Sequence, residues 1–318
     1  MDKKILKNFL NKVKNKNIAI VGDIMLDTFE YGTVTRKSPE ADVPVILINK
    51  ILSMPGGAAN VALNIKHLNA NPILISAIGD DFEGKMLLNE LKKQKINSKS
   101  IFTNKKVTIT KKRVLVDGKH FARVDKENLN KSNKQEEKKI VDIFKKEIKK
   151  IDCLVFSDYC KGLITKNVVT EICNLANAKN ISIIVDTKPA TANYYKNKNI
   201  TLMTPNEKES LDISGKSNFE DAVKYLRNNF KGNLLVTRGK DGMTLFVEKK
   251  IANIKAMSTK VVDVSGCGDT VVSTLALALG AKFSIEEAVN IANYAASIVV
   301  QKPGTATINK IEFLKYGK

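Results

Sequence analysis

Short apolar runs, each containing or ending in glycine or aspartate and followed by a segment of helical periodicity, recur along most of this 318-residue chain. Continuous apolar runs are typical of strands covered on both faces, as in a parallel sheet. Their alternation with helices predicts an α/β fold in which helices flank a doubly wound, mostly parallel sheet. The clearest runs are at 17–27, 72–79, 153–160 and 181–189.

Two stretches interrupt this alternation and predict a second, smaller sheet. Residues 30–50 alternate polar residues with Thr, Val and Ile and contain two prolines, which favours exposed or edge strands. Residues 106–125 alternate similarly on both sides of Asp117-Gly118, a pair typical of a hairpin turn. We expect these stretches to form a small sheet over one edge of the main sheet. Because no repeat or long linker divides the chain, a single domain over 1–318 is expected.

The composition excludes several classes of protein. The four cysteines form no CxxC pair and only two histidines occur, which argues against a zinc site. No run approaches the roughly 20 apolar residues of a membrane span, and the N-terminal segment carries regularly spaced lysines instead of an apolar signal core. We therefore expect a cytoplasmic protein with no membrane partner.

The net charge of +20 is compatible with two kinds of partner, a nucleic acid or an anionic small substrate. Only five of the 53 basic residues are arginine, and aromatic residues make up 6% of the chain. Specific phosphate and base contacts favour arginine, whereas abundant lysine, asparagine and isoleucine fit an AT-rich coding sequence. We expect a small anionic substrate and no nucleic acid.

The segment 263–270 carries the strongest chemical signal. Gly266 and Gly268 let the backbone around Cys267 turn its N–H groups inward, just before a long apolar helix. The positive end of that helix adds to these groups, which gives a site for charge developing on a phosphoryl group. Asp269 would repel a static phosphate there, but it can take a proton from an attacking hydroxyl. The alternative is that Asp269 only caps a buried helix.

Two further segments carry side chains suited to a sugar. Residues 55–60 contain adjacent glycines, including Gly57, and then Asn60, whose amide can donate to and accept from hydroxyl groups. Asp23 and Asp27 follow the first strand, and ligands of open α/β sheets bind at the carboxyl ends of strands. Each has a plain alternative, because 55–60 is also a helix N-terminus and an aspartate is also a helix cap.

Asn206 and Glu209 lie three residues apart at the start of a predicted helix, and therefore on one helical face. An amide and a carboxylate so placed can order water around Mg²⁺ instead of ligating it directly. The same pair is the signature of a capping box, in which each side chain bonds the other residue's backbone. The sequence leaves both possibilities open.

Taken together, these segments resemble the ribokinase-like (pfkB) carbohydrate kinases over essentially the whole chain. GGAAN (56–60), NEKE (206–209) and GCGDT (266–270) occur in the order found in that family. Within it, the chain is most similar to the D-glycero-β-D-manno-heptose 7-phosphate kinases, above all in RKSPEADVPV (36–45) and LVFSDYCKG (154–162). The resemblance implies a ribokinase-like fold with a β-sheet lid. It also implies ATP-dependent phosphorylation of the anomeric hydroxyl of the heptose phosphate, to the 1,7-bisphosphate of lipopolysaccharide precursor synthesis.

The resemblance also implies roles for individual residues. Asp269 would be the base, and Gly266, Cys267 and Gly268 would form the anion hole. ATP and Mg²⁺ are the implied cofactors, and a monovalent cation is allowed. The residues implied to bind the nucleotide are Asn206, Glu209, Thr237, Gly239 and Asn293, of which Asn206 and Glu209 would also serve Mg²⁺ through water. Those implied to bind the sugar are Asp23, Asp27, Gly57 and Asn60.

A 7-phosphate on the substrate requires basic side chains. Three of the five arginines fall in or beside the two β stretches, and the planar fork of arginine suits a phosphate better than lysine does. We expect Arg113, Arg123 and Lys188 to bind it, with Arg36 and Lys112 as further candidates, while ordinary surface charge is the alternative for each. The lid of this family often forms a dimer contact, so a homodimer through the lid is expected.

Two features depart from the family pattern. Cys267 stands where alanine is commoner, at a position expected to contribute its backbone N–H. Many relatives carry a nucleotidyltransferase domain after the kinase, but this sequence stops at Lys318, and neither His67 nor His120 lies in the HxGH pattern of that domain. We therefore expect the kinase alone, with a separate adenylyltransferase downstream. The alternative activity is that of a pfkB-type kinase of another sugar or phosphosugar.

Overall fold

The computed structural model describes residues 1–258 and 260–317, and over these residues the strands form two sheets. The strands of the large sheet are β1 (Asn17–Gly22), β4 (Asn71–Gly79), β5 (Ile101–Asn104), β8 (Cys153–Asp158), β9 (Ser182–Thr187), β10 (Asn199–Met203), β11 (Lys231–Thr237), β12 (Met243–Val247) and β13 (Lys250–Ile254). Those of the small sheet are β2 (Ile24–Lys37), β3 (Pro44–Gly57), β6 (Thr110–Val116) and β7 (Lys119–Lys126).

The large sheet has the strand order β13-β12-β11-β10-β9-β8-β1-β4-β5. Neighbouring strands from β11 to β5 are parallel, whereas β12 and β13 are added in antiparallel fashion at one edge. The central strands β1 and β8 are buried along almost their whole length, which is why their sequences read as continuous apolar runs. The predicted mostly parallel sheet is confirmed.

Helices cover both faces of this sheet, each with its own apolar core. On one face lie α1 (Lys3–Val13), α2 (Ala58–His67), α3 (Phe82–Lys93), α8 (Cys267–Gly280), α9 (Ile285–Val299) and α10 (Lys310–Lys315). On the other lie α4 (Lys134–Glu147), α5 (Lys166–Asn177), α6 (Glu207–Ser214) and α7 (Phe219–Asn229). Helix α8 is buried nearly all round, because it packs against the sheet, α2 and α9.

The first strand of the small sheet follows almost directly after β1. Asp23 alone separates β1 from β2, and β2 pairs antiparallel with β3 and parallel with β6, to which β7 is added. The sequence predicts one strand over 17–27, but the chain leaves the large sheet at Asp23. The apolar pattern misses this change because Ile24, Met25 and Leu26 are as buried as β1 itself. The two predicted β stretches do form the small sheet, as expected.

This arrangement places the carboxyl ends of β8, β9, β10 and β11 and the first turn of α8 around one cleft, and Lys111 of the small sheet reaches Tyr159 at its wall. In open α/β sheets this edge is where ligands bind. No helix within residues 1–258 and 260–317 is long and apolar enough to span a membrane.

Candidate active site

The first turn of α8 presents unbonded backbone N–H groups to the cleft. Gly266 precedes the helix with a φ of 74°, in the left-handed region that favours glycine. The N–H of Cys267 donates to Val264 O at 3.2 Å, whereas those of Gly268 and Asp269 have no acceptor among the described residues. Two amides at the positive end of a buried helix form an anion site. The amide of Cys267, which the sequence places in the same site, is occupied within the loop.

Asp269 lies beside these amides, and the residue as a whole is only 5% exposed. Its Oδ2 accepts from Asn60 Nδ2 at 2.7 Å, and its Oδ1 accepts from the Tyr159 hydroxyl at 2.6 Å. Burial raises the pKa of Asp269 to about 6, and these two hydrogen bonds limit the rise. At neutral pH the carboxylate is therefore ionised and still basic enough to accept a proton.

A cavity of about 200 Å³ opens in front of this carboxylate. Its walls combine carboxylates, a lysine and backbone from several elements: Tyr159, Asp186, Lys188, Thr204, Asn206, Glu209, Thr237, Gly266, Gly268, Asp269, Val271 and Val272. The cavity therefore brings together, from distant parts of the sequence, Asp269, two of the predicted glycines, Asn206, Glu209, Thr237 and Lys188.

Lys188 is the cation that pairs with the acidic side chains of this cavity. Its Nζ lies 2.5 Å from Glu209 Oε1. Burial opposes its charge, but the carboxylates of Asp186 and Glu209 outweigh burial, so the pKa of Lys188 is raised and the side chain stays charged. Burial raises the pKa of Asp186 to about 7 even though Lys188 is close. Lys188 lines the same cavity as Asp269, and its contact with the 7-phosphate stays a prediction.

The Asn206–Glu209 pair forms the capping box, and its role towards Mg²⁺ stays a prediction. Asn206 Oδ1 accepts from the Glu209 N–H at 2.8 Å, and the Asn206 N–H donates to Glu209 Oε2 at 2.9 Å, which is a capping box at the start of α6. The other oxygen of Glu209 contacts Lys188 in the cavity. The cap therefore fixes the two side chains at the wall of the cleft.

The oxygen atoms of this wall suit Mg²⁺, which binds few protein ligands and keeps several waters. Asn206, Glu209 and Asp186 line the cavity with amide and carboxylate oxygens. In the part of the chain that the structure describes, no three His, Cys, Asp or Glu side chains form a closed cage for a metal ion. An ion shared with substrate phosphates fits that donor set better than a resident structural metal.

The side of the cleft next to the small sheet is built from β2, β3 and β6. Asp27 is 4% exposed and accepts from Arg113 Nη1 at 2.8 Å, while the Arg113 guanidinium stacks 5.0 Å from the centroid of the Phe29 ring. A Cβ on Gly56 would lie 2.2 Å from Asp27 Oδ2, so a glycine is needed for this approach. Gly57, with a φ of 61°, is the N-cap of α2, whose Asn60 contacts Asp269.

Asp23 takes a different position from the one expected. Its carboxylate accepts from the backbone N–H groups of Tyr159, Lys161 and Leu163 at 3.1–3.2 Å, and it is 2% exposed. Burial and the nearby Asp158 raise its pKa to about 6. Asp23 thus lies beneath the cleft and holds the loop after β8, and a contact with the sugar stays a prediction.

Several other predicted residues lie outside the cavity. Gly239 is exposed in the short helix Gly239–Asp241, and Asn293 is buried with its Nδ2 donating to Lys255 O at 2.8 Å. Arg123 is mostly exposed and pairs with Asp125, and Arg36 lies in the exposed outer end of β2. Lys112 pairs with Glu30 on the face of the small sheet that points away from Arg113. Nucleotide contacts of Gly239 and Asn293 stay predictions.

Three residues of the cleft carry no assigned role in the sequence analysis. Tyr159 and Asp186 line the cavity, and Lys111 lies on β6 with its Nζ 5.5 Å from the Tyr159 ring. The two-residue period of a strand offered a signal for Lys111, because it shares the face of Arg113 whereas Lys112 does not. Tyr159 and Asp186 follow or end strands at the ligand-binding edge, which was also readable from the sequence.

Over most of its length the chain is similar to known proteins. The sequence pattern of the pfkB family of carbohydrate kinases matches residues 15–312. The chain is 35% identical, over 95% of its length, to the bifunctional protein HldE of Aliarcobacter butzleri, and 39% identical over 93% of its length to that of Gluconobacter oxydans. It spans 63–64% of the length of these curated relatives.

Solved structures share the fold at low sequence identity. Phosphofructokinase-2 from Escherichia coli in complex with potassium superposes with a TM-score of 0.77 at 19% identity, over 95% of this chain and 97% of that one. Ribokinase from Arabidopsis thaliana with ribose and ATP gives 0.71 at 19% identity, over 95% and 98%. The fold is ribokinase-like, and the chain belongs to the pfkB family of carbohydrate kinases. It is an ATP-dependent sugar kinase.

Proposed function

We propose that this kinase transfers the γ-phosphoryl group of ATP to the anomeric hydroxyl of D-glycero-D-manno-heptose 7-phosphate. The product is the 1,7-bisphosphate of ADP-heptose synthesis for the lipopolysaccharide core. Support comes from the 35–39% identity to proteins named HldE and from the RKSPEADVPV stretch at 36–45. A kinase of another sugar or sugar phosphate is the alternative, since the solved neighbours are named for phosphofructokinase and ribokinase.

The observation that carries the chemistry is the placement of Asp269 beside two unbonded amides in the first turn of α8. Asp269 removes the proton as the sugar oxygen forms its bond to the γ-phosphorus and the bond to the β-phosphate oxygen breaks. The amides of Gly268 and Asp269 stabilise charge on the transferring group. Lys188 offsets the remaining negative charge of phosphates in the cavity. Mg²⁺, held at the Asn206–Glu209 wall, supplies further charge neutralisation when bound.

The sugar phosphate lies, in this proposal, between the cavity and the small sheet. Asp27 and Asn60 face its hydroxyl groups, and the basic face formed by Lys111 and Arg113 receives the 7-phosphate. Burial together with the nearby Lys161 and Arg113 lowers the pKa of Lys111, which is the expected result of crowding cations where an anion binds. The small sheet thereby serves as a lid.

A panel of acceptors tests the assignment. The purified chain is supplied with ATP and Mg²⁺ and with D-glycero-D-manno-heptose 7-phosphate, the unphosphorylated heptose, fructose 6-phosphate or ribose. We expect the heptose 7-phosphate to give the highest kcat/KM, and phosphorus NMR to place the new phosphate on the anomeric carbon. Higher kcat/KM with another acceptor would establish the alternative instead.

Asp269→Asn is the matched control in the same panel. It keeps the shape of the side chain but removes the base, so kcat should fall by roughly 10²- to 10⁴-fold with the preferred acceptor. Circular dichroism and a melting curve establish that the variant is folded. Full activity in the folded variant would remove Asp269 from the reaction and attribute the turnover to another group.

A further inference from the structure

Tyr159 contacts the proposed base but has no role in the reaction as described so far. Its hydroxyl donates to Asp269 Oδ1 at 2.6 Å, while the opposite oxygen, Oδ2, accepts from Asn60 Nδ2 at 2.7 Å. Each oxygen of the carboxylate therefore has a donor from a different element, α2 or the loop after β8. A carboxylate held at both ends cannot rotate freely, so its direction in the cavity is set by Tyr159 and Asn60 together.

The loop that carries Tyr159 is itself fixed from below. The carboxylate of Asp23 accepts from the backbone N–H of Tyr159 and of Lys161, both at 3.1 Å, and from that of Leu163 at 3.2 Å. These bonds explain why a buried aspartate stands at the end of β1, where the sequence suggested a sugar ligand. Asp23 orients the loop, and the loop orients the phenol.

Two cations from different elements approach the ring of Tyr159. Lys111 Nζ, from the small sheet, and Lys188 Nζ, from the cavity wall after β9, are each 5.5 Å from its centroid. Burial and the carboxylates of Asp269, Asp186 and Asp27 raise the pKa of the phenol well above 10. The hydroxyl therefore remains protonated and serves as a donor, not as a second base.

We propose that Tyr159 is a positioning residue that aims the Asp269 carboxylate at the acceptor hydroxyl and favours its ionised form. The proposal rests on the proposed role of Asp269 as the base. A hydrogen bond donated to a carboxylate stabilises the charged state and lowers its pKa, so loss of the phenol hydroxyl makes Asp269 protonate at higher pH. The ring, its stacking on the two lysines and the loop would be unchanged in Tyr159→Phe.

Other groups around Asp269 stay the same in that variant. The charged or titratable ones are Asp27 from β2, Asp186 from β9, Lys188 after β9 and Cys267 from the first turn of α8. The neutral donor Asn60 faces it from α2. A shift in the titration of Asp269 therefore reports on the lost hydroxyl.

The test is the pH dependence of kcat with the preferred acceptor and saturating ATP. The wild-type chain should lose activity as the pH falls through about 6, where Asp269 protonates. In Tyr159→Phe we expect this acid limb to move to higher pH by about one unit, because a hydrogen bond to a charged group has about that effect. At the pH plateau kcat should fall at least about fivefold from the loss of aim, and KM for ATP should stay within about twofold.

Tyr294→Phe is the matched control, since it also removes one buried tyrosine hydroxyl, which donates to Phe313 O at 2.9 Å away from the cleft. Its acid limb and kcat should equal those of the wild type. An unchanged acid limb in Tyr159→Phe, with Asp269→Asn inactive, overturns the positioning role but leaves Asp269 as the base. An active Asp269→Asn overturns the proposed mechanism itself, so the two failures are distinguishable.

A second measurement needs no substrate. The free energy of unfolding is measured from pH 5 to 8 for two pairs of proteins. One pair is the wild type and Asp269→Asn, and the other is Tyr159→Phe and Tyr159→Phe/Asp269→Asn. Ionisation of the buried carboxylate destabilises the fold progressively between its unfolded pKa, about 3.9, and its folded pKa of about 6. The difference between each pair should therefore grow as the pH rises and level off near the folded pKa. A level-off at higher pH in the Phe background supports the proposal, and coincident curves contradict it.

Discussion

Arg113 is held in place by two contacts that leave part of its guanidinium free. One N–H donates to Asp27 and the plane stacks on Phe29, while the side chain remains 14% exposed. A guanidinium has five N–H donors, so several remain for an anion entering the cleft. Lys111 lies on the same face of β6, which makes this face the basic part of the small sheet nearest the cavity.

At the scale of this residue we predict that Arg113→Ala raises KM for the heptose 7-phosphate by about 10- to 100-fold, since hydrogen bonds to charged groups contribute about 1.5–3 kcal/mol. KM for ATP should change less than threefold. Steady-state kinetics with each substrate varied in turn give both constants. The unphosphorylated heptose, which lacks the group that Arg113 binds, should be used equally well by variant and wild type.

Lys112→Ala serves as the neighbouring control, because Lys112 pairs with Glu30 on the opposite face of the same strand. It should leave both KM values unchanged. Equal increases of KM for ATP and for the sugar phosphate in Arg113→Ala would mean that the variant disturbs Asp27 and the sheet, and that the phosphate binds elsewhere.

Residue chemistry was predictable from the sequence where a single side chain has a local signature. Asp269 beside its glycines is such a case, because the loop and the helix that form its anion site are contiguous in the sequence. The roles of Asp23 and Asp27 could not be distinguished from the sequence, since both residues follow β1. Only the tertiary structure shows that Asp23 accepts from the loop after β8 and that Asp27 accepts from Arg113. Tyr159 was missed because its partner is 110 residues away in the chain.

The start of helix α8 combines backbone geometry and chemistry in one element. Gly266 has a φ of 74°, and a Cβ on it would lie 2.8 Å from Asn60 Nδ2, the atom that donates to Asp269. A side chain at this position would therefore be strained and would also press on the support of the base. Gly266 is therefore needed for lack of space as well as for the backbone flexibility that the sequence indicates.

We predict that Gly266→Ala lowers kcat at least about tenfold, because an ångström-scale displacement of a catalytic group has effects of that size or larger. Its free energy of unfolding should also fall by about 1–2 kcal/mol from the left-handed backbone. Chemical denaturation and steady-state kinetics measure the two effects separately.

Gly215→Ala is matched in backbone but not in surroundings. Gly215 ends α6 with a φ of 65°, and a Cβ on it would meet nothing within 4 Å. It should lose about the same stability and keep the wild-type kcat. If both variants lose kcat in parallel, the effect of Gly266→Ala is one of general stability and not of the base.

At the scale of the whole molecule, the alternation of strands and helices was sufficient to predict the large sheet, because burial on both faces imposes apolar runs. The order of the strands was not predicted. It depends on how the connections between strands pack against one another, and no short stretch of sequence determines that packing. The small sheet was located from its polar alternation, but its beginning was missed, because Ile24 to Leu26 are buried like a central strand.

The outer face of the small sheet exposes apolar side chains that a single chain does not cover. Ile51 is 59% exposed and Val124 58% exposed, and both lie on the face of Lys112, away from Arg113. Exposed apolar residues grouped on one sheet face favour burial against another protein surface. With the dimer contact expected from the family resemblance, we propose a second copy of this chain as that surface.

Ile51→Asp should therefore convert the wild-type dimer into a monomer, because two symmetry-related carboxylates would be buried in an isologous interface. Sedimentation velocity at about 150 mM salt, where repulsion between chains of net charge +20 is largely screened, measures the change. Ile311→Asp is the control, since Ile311 is 78% exposed on α10, outside the small sheet, and should leave the dimer intact. A wild-type chain that sediments as a monomer at tens of micromolar would contradict the proposal, as would a dimer that both substitutions leave unchanged.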